Sequence, residues 1–160
     1  MEQQASDAQI TRALDRAGAR RVAFIGGEPT LREELPSWIR AARRAGAEQV
    51  VVQTNARRLA YRAYAVNLAR AGVSALDVSL QGPRAEVHDH HTRVAGSFQQ
   101  TVAGLSMARA ARIPVGVSAV ITRSNYRNLV QLVRRVAVLG VTRLRLAPAR
   151  ALGQAARLLP

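Results

Sequence analysis

Five consecutive residues, Gly26-Gly27-Glu28-Pro29-Thr30, combine features that could receive a cation. Two glycines let a ligand approach the backbone without side-chain interference and leave carbonyls free to accept hydrogen bonds, while Glu28 adds a carboxylate. Pro29 stiffens the turn and Thr30 is placed to cap a following helix. The set suits an ammonium group. A phosphate loop would offer amide donors and usually a lysine, so a carboxylate in the turn argues against one. A second cluster, His88-Asp89-His90-His91, invites a metal ion. Adjacent residues on a loop or helix point different ways, however, and the sequence has no second group of ligands to complete a coordination sphere, so no metal site is assigned. Ser, His and Asp are present, but no Gly-x-Ser-x-Gly elbow accompanies them, and nucleophilic hydrolysis is not supported. The sequence has no cysteine, which excludes a disulfide framework and any iron–sulfur cluster ligated by thiolates of this chain alone.

The elements that must place the glutamate turn are legible from breakers and periodicity. Ala17-Gly18-Ala19, Ala45-Gly46-Ala47, Ala71-Gly72-Val73 and Leu139-Gly140-Val141 each read as a helix stop, with glycine taking the left-handed cap. Apolar strand-like runs follow at Val22 to Ile25, Val50 to Val52, Leu76 to Leu80, Val115 to Ile121 and Leu144 to Leu146. Amphipathic stretches lie between them, with Leu35, Ile39 and Ala42 opposite Arg40, Arg43 and Arg44, and Leu129, Leu132, Val133 and Val136 opposite Arg134 and Arg135. The spacing predicts a helix from Leu31 to Ala45 directly after the turn. Gly18, Gly46 and Gly72 recur at intervals of 28 and 26 residues, the length of a strand plus a crossover helix. The next break, at Ile113-Pro114, comes later, and the polar segment Gln81 to Gly96 is the expected insertion, ahead of a helix starting near Ser97. Crossovers of this length force parallel strands with right-handed connections, so the class is α/β, either an open doubly wound sheet or part of a barrel. In both, ligand-binding residues belong at the carboxyl ends of the strands.

A chain of 160 residues with 48% hydrophobic residues fits a single domain. No apolar run approaches the ~20 residues of a membrane span, and Met1-Glu2-Gln3-Gln4 resembles no secretory signal, so a cytoplasmic location is expected. The net charge is +14, and all 24 basic residues are Arg. From His90 to Pro160 there are eleven Arg and no acid, a one-signed field that favours an anionic ligand or partner. The arginines recur at helical spacing and do not form one block with aromatics between, which argues against nucleic acid as the partner.

The string GGEPT, between a strand and a helix, resembles the motif with which radical S-adenosylmethionine (SAM) enzymes hold the amino group of SAM. Later strand ends agree with this resemblance. Gln53-Thr54-Asn55 is similar to the family's Thr-Asn-Gly, with Ala56 in place of the glycine, and Ser79-Leu80-Gln81-Gly82-Pro83 to its Ser-Leu-Asp-Gly-Pro. The resemblance implies that Gly26, Gly27, Glu28 and Pro29 serve the amino-group end of SAM, that Thr54 also belongs to the cofactor site, and that Ser79 and Gln81 lie beside the SAM carboxylate and ribose. Gln81 carries no charge and cannot act as an acid or base. Glu86-Val87-His88-Asp89 followed by Gly96-Ser97-Phe98 looks like the family's insertion before its fourth crossover helix, and Arg93 within it is the implied partner of the SAM carboxylate. Ser118, Asn125 and Leu146 fall where the resemblance implies ribose and adenine contacts, although Ser118 could be satisfied by backbone and Asn125 could cap the helix starting near Asn128.

The implied fold is a parallel-stranded, partial (β/α)6 TIM-like barrel lacking its first strand, with residues 1–160 as one truncated core domain from the GGEPT strand to the last barrel strand. The implied cofactors are SAM and a 4Fe-4S cluster, the latter in the complete protein only, because the family's Cys-x-x-x-Cys-x-x-Cys is absent here. In the complete enzyme that cluster would cleave SAM reductively to a 5′-deoxyadenosyl radical that attacks a small-molecule or peptide substrate, with an electron donor as a further partner; this chain alone is expected to be inactive. The alternative is a cluster-less, non-catalytic α/β module that binds a ligand or, through its arginine-rich half, nucleic acid.

Overall fold

The structure, a computed structural model, describes residues 6–149. Ser6 opens α1 (Asp7–Ala17) with a capping box, its hydroxyl accepting from the Gln9 amide while the Gln9 side chain accepts from the Ser6 amide. Then follow β1 (Arg21–Phe24), α2 (Leu35–Arg44), β2 (Gln49–Thr54), α3 (Arg62–Ala71), β3 (Ala75–Ser79), α4 (Ala85–Thr92), α5 (Ser97–Ala110), β4 (Val115–Ile121), α6 (Leu129–Val138) and β5 (Leu144–Pro148). The four helix-stop glycines, Gly18, Gly46, Gly72 and Gly140, all have positive φ.

Two expectations change. The helix after the glutamate turn starts at Leu35 and not at Leu31; Pro29–Leu31 is a separate 3-10 turn. Proline cannot donate within a helix interior, and a helix begun at Leu31 would put Pro36 there, whereas the observed start places it in the first turn. The insertion Gln81 to Gly96 contains a helix, α4, that periodicity does not reveal, because of its side chains only Val87 and His88 are buried.

All five strands are parallel and lie in the order β1-β2-β3-β4-β5. Consecutive order with right-handed crossovers stacks every helix on one side, the winding of a barrel and not of a doubly wound sheet. Register divides the strand residues between two faces. Val50, Val52, Leu76, Val78, Val117 and Ala119 face the helices and are buried with Trp38, Ile39, Leu68 and Leu105 in one core. On the other face stand Gln53, Asp77 and Gly116 in one row and Ser79, Ser118 and Arg145 in the next. Among the described residues, β1 and β5 are edges. No helix of the described residues is long and apolar enough to cross a membrane.

Candidate functional site

Glu28 organises the carboxyl edge of the sheet. Its Oε1 accepts from the Thr30 amide (3.1 Å), the Thr30 hydroxyl (2.7 Å) and the Thr54 hydroxyl (2.6 Å), and its Oε2 from the Asn55 amide (2.8 Å). One carboxylate thereby joins the loops after β1 and β2, and Thr30 turns inward to it and does not cap α2. Charge-assisted bonds of this kind are shorter and stronger than neutral ones. The Thr30 carbonyl is occupied as well, accepting from Arg58 Nη1 (2.7 Å) and the Tyr64 hydroxyl (3.2 Å). Burial pushes the Tyr64 hydroxyl up to about 12, Arg58 opposing and Glu28 assisting, so it remains a donor.

By contrast, the Gly26 and Gly27 carbonyls accept no hydrogen bond from the described residues, and a Cβ built on either glycine meets nothing within 4 Å. Gly26 has φ +108°, a conformation that L side chains resist. The backbone here is open on one side and carries a fixed negative charge on the other. Thr54 is buried and faces the helices, reaching the turn only through Glu28; its oxygen also accepts from the Ala56 amide. Ala56 keeps the left-handed backbone, φ +60°, that a glycine would take without strain, at a cost of about 1 kcal/mol.

Ser79 and Ser118 are directly paired in register on the face away from the helices, and neither hydroxyl has a partner among the described residues. The next residue in that row is Arg145. Leu146 pairs with Ala119 and stands on the helix-facing side, so its side chain is not beside the two serines. Gln81 extends the sheet past the end of β3: its Oε1 accepts from the Val120 amide (2.8 Å), leaving Nε2 uncommitted. Asn125, buried, donates from Nδ2 to the carbonyls of Gln81 (3.0 Å) and Val120 (2.8 Å) and accepts from the Thr122 amide (2.8 Å). Its side chain holds two strand ends together and does not cap α6. Arg93 ends α4 in the left-handed conformation, exposed and without a partner among the described residues.

The His and Asp cluster is structural. His88 is buried, and its Nδ1 accepts from the Gln81 amide (3.0 Å), which places its proton on Nε2. Burial pushes its pKa down to about 4, against the pull of Asp89 and with a small addition from His91. Asp89 accepts from the Gly96 amide (2.8 Å), the Ser97 hydroxyl (2.8 Å) and the Phe98 amide (2.7 Å), closing the start of α5. Partial desolvation works to raise its carboxyl, but these donors outweigh it and the pKa lies below the usual value. Gly82 completes this corner, since a Cβ there would sit 2.6 Å from Val87. Sequence reasoning missed His88 as the support of Gln81, and Asp77 and Arg145 on the open face. Asp77, an acid inside an apolar strand, was the available signal.

Comparison with known proteins defines the class. The family model described as "Radical SAM superfamily" matches residues 2–136, and the chain belongs to that family. It is 32% identical over 104 residues to the AdoMet-dependent heme synthase of Oleidesulfovibrio alaskensis, covering 65% of this chain and 26% of that protein. Against the PqqA peptide cyclase of Rhodopseudomonas palustris it is 30% identical over 139 residues, covering 87% of this chain and 36% of that protein. In fold it resembles SuiB of Streptococcus suis bound to S-adenosylmethionine, with TM-score 0.73, 18% identity, and coverage of 93% of this chain and 36% of that one. The chain thus spans about a quarter to a third of the length of these proteins. The family uses SAM and a 4Fe-4S cluster. A chain without cysteine has no thiolate to offer iron, so its own residues do not fit the cluster.

Proposed function

We propose that this chain is the SAM-binding portion of a radical SAM enzyme whose cluster thiolates come from outside these 160 residues. The observation that carries the reading is the turn at Gly26 and Gly27, with unclaimed carbonyls and open approach, backed by the Glu28 carboxylate. Those carbonyls would accept from the SAM ammonium, and the fixed charge of Glu28 would favour it over a neutral amine. Ser79 and Ser118 would donate to or accept from the ribose and carboxylate, Gln81 would present its free Nε2, and Arg93 would pair with the carboxylate. Thr54 and Asn125 act by holding the loops in place. In the complete enzyme the cluster would supply the electron for SAM cleavage, while the residues here would bind and orient SAM. The substrate would be a small molecule or a peptide, and an electron donor would be a further partner.

Titrating SAM into the 15N-labelled chain tests the reading. Saturable shifts of the Gly26, Gly27 and Ser79 amides are expected. Shifts confined to other regions, or none at millimolar SAM, would refute it.

A further inference from the structure

On the face away from the helices, Arg145 Nη2 donates to Asp77 Oδ2 at 2.6 Å, reaching from β5 across β4 to β3. Arg143 lies over Gly116, the β4 residue paired with Asp77: a Cβ on Gly116 would fall 2.6 Å from Arg143 Nε and 3.0 Å from its Nη2. One guanidinium group therefore pairs with the Asp77 carboxylate and a second lies over the neighbouring Gly116. Among the described strand residues on this face Asp77 is the one acid, so the cluster carries a single uncompensated positive charge.

We propose that Arg145, assisted by Arg143, forms a subsite for a carboxylate of the substrate on this face, at the β5 end of the row of Ser79 and Ser118. The inference rests on reading the carboxyl edge as the SAM site. Stability alone does not account for the arrangement. The Arg145 side chain is 62% exposed, and ion pairs so exposed contribute little. Arg143 has no partner among the described residues. With one Nη2 hydrogen turned to Asp77, Arg145 keeps its second Nη2 hydrogen together with Nε–H and Nη1 for a ligand, and Asp77 fixes the plane of the fork. A planar fork matches a carboxylate through two parallel bonds, and one net positive charge is balanced by a monoanion.

The test uses the 15N-labelled chain, with N-acetylglycine, its methyl ester, inorganic phosphate and SAM as probes, reading the arginine Nε–H resonances. A saturable shift of Arg145 and Arg143 with N-acetylglycine is expected, absent with the ester, unaffected by saturating SAM and, read at Arg143, at least tenfold weaker in Arg145→Gln. Arg145→Lys keeps the charge without the fork and should also bind at least several-fold more weakly, so the result does not depend on one variant folding. Equal affinity in either variant, binding of the ester, tighter binding of phosphate, or no shift at all would overturn the proposal. Displacement by SAM would do so too, because it would assign the guanidinium to the carboxylate of SAM. Failure of SAM to shift Gly26 and Gly27 would instead refute the SAM reading, whatever N-acetylglycine does.

Discussion

The Glu28 carboxylate and the Thr54 hydroxyl meet at 2.6 Å although 26 residues separate them, so the loops after the first two strands share one acceptor. Replacing Glu28 by Ala removes that acceptor and the charge behind the open glycine carbonyls. Glu28→Ala should weaken SAM binding by roughly 1 to 3 kcal/mol, the scale for losing a hydrogen bond to a charged group in a buried site. Thr54→Val, which removes one donor and leaves the carboxylate, should do less. Calorimetry checks both, and an unchanged dissociation constant for Glu28→Ala would remove the glutamate from the ammonium site.

Gly27 and Gly104 should respond oppositely to an added methyl. A Cβ on Gly104 would lie 1.9 Å from the Ala56 carbonyl oxygen, where α5 packs against the loop after β2, so Gly104→Ala should lower stability by about 1–3 kcal/mol or more. Gly27→Ala meets no neighbour and should leave the melting temperature nearly unchanged while weakening SAM binding. Thermal melts paired with SAM titrations separate the two. A Gly27→Ala protein with normal affinity would show that the ligand does not approach this backbone.

Acid should loosen the fold through His88. The unfolded imidazole takes up a proton near pH 6.5, whereas the folded one does so only at about 4. Its contribution to stability is therefore complete above pH 6.5 and is lost as pH falls through that window, by about 3 kcal/mol in all. Asp89, held below its usual pKa, adds a further loss at lower pH. Urea unfolding at a series of pH values checks the slope, and an NMR titration placing His88 near 6.5 would contradict it.

Anaerobic reconstitution of this chain with iron and sulfide should yield no stoichiometric cluster and, after dithionite and SAM, no 5′-deoxyadenosine above a control without protein. Iron in such a cluster takes soft thiolate ligands, and the chain has none; His88 and Asp89 are committed to Gln81 and to the start of α5. Stoichiometric iron would require a ligand set of another kind.

Much of this architecture was legible in the residues, for identifiable reasons. Helix-stop glycines need positive φ, and alternating apolar runs need a buried face, so strand number, parallel direction and the turn at Gly26 to Thr30 could be read directly. The start of α2 was misplaced because helical periodicity runs back through Leu31, and Pro36 alone marks the true boundary. Helix α4 was hidden because it owes its place to single contacts, the His88 bond to Gln81 and the Asp89 cap of α5, and not to an apolar stripe. The faces of β5 cannot be assigned without register, so only the structure shows that Arg145 stands beside Ser118 and Leu146 beside Ala119.

The side-chain bridges along the carboxyl rim are unevenly distributed. Glu28 fastens the ends of β1 and β2, and Gln81 with Asn125 fastens those of β3 and β4. Among the described residues, no side chain ties the loop after β2 to the loop after β3 in the same way. The glycine turn and Ser79 thus belong to separately bridged pairs of strand ends, which communicate through α5, whose Thr101 hydroxyl donates to the Asn55 carbonyl (2.9 Å). A ligand held at both would act as a cross-brace, making the molecule stiffest when loaded.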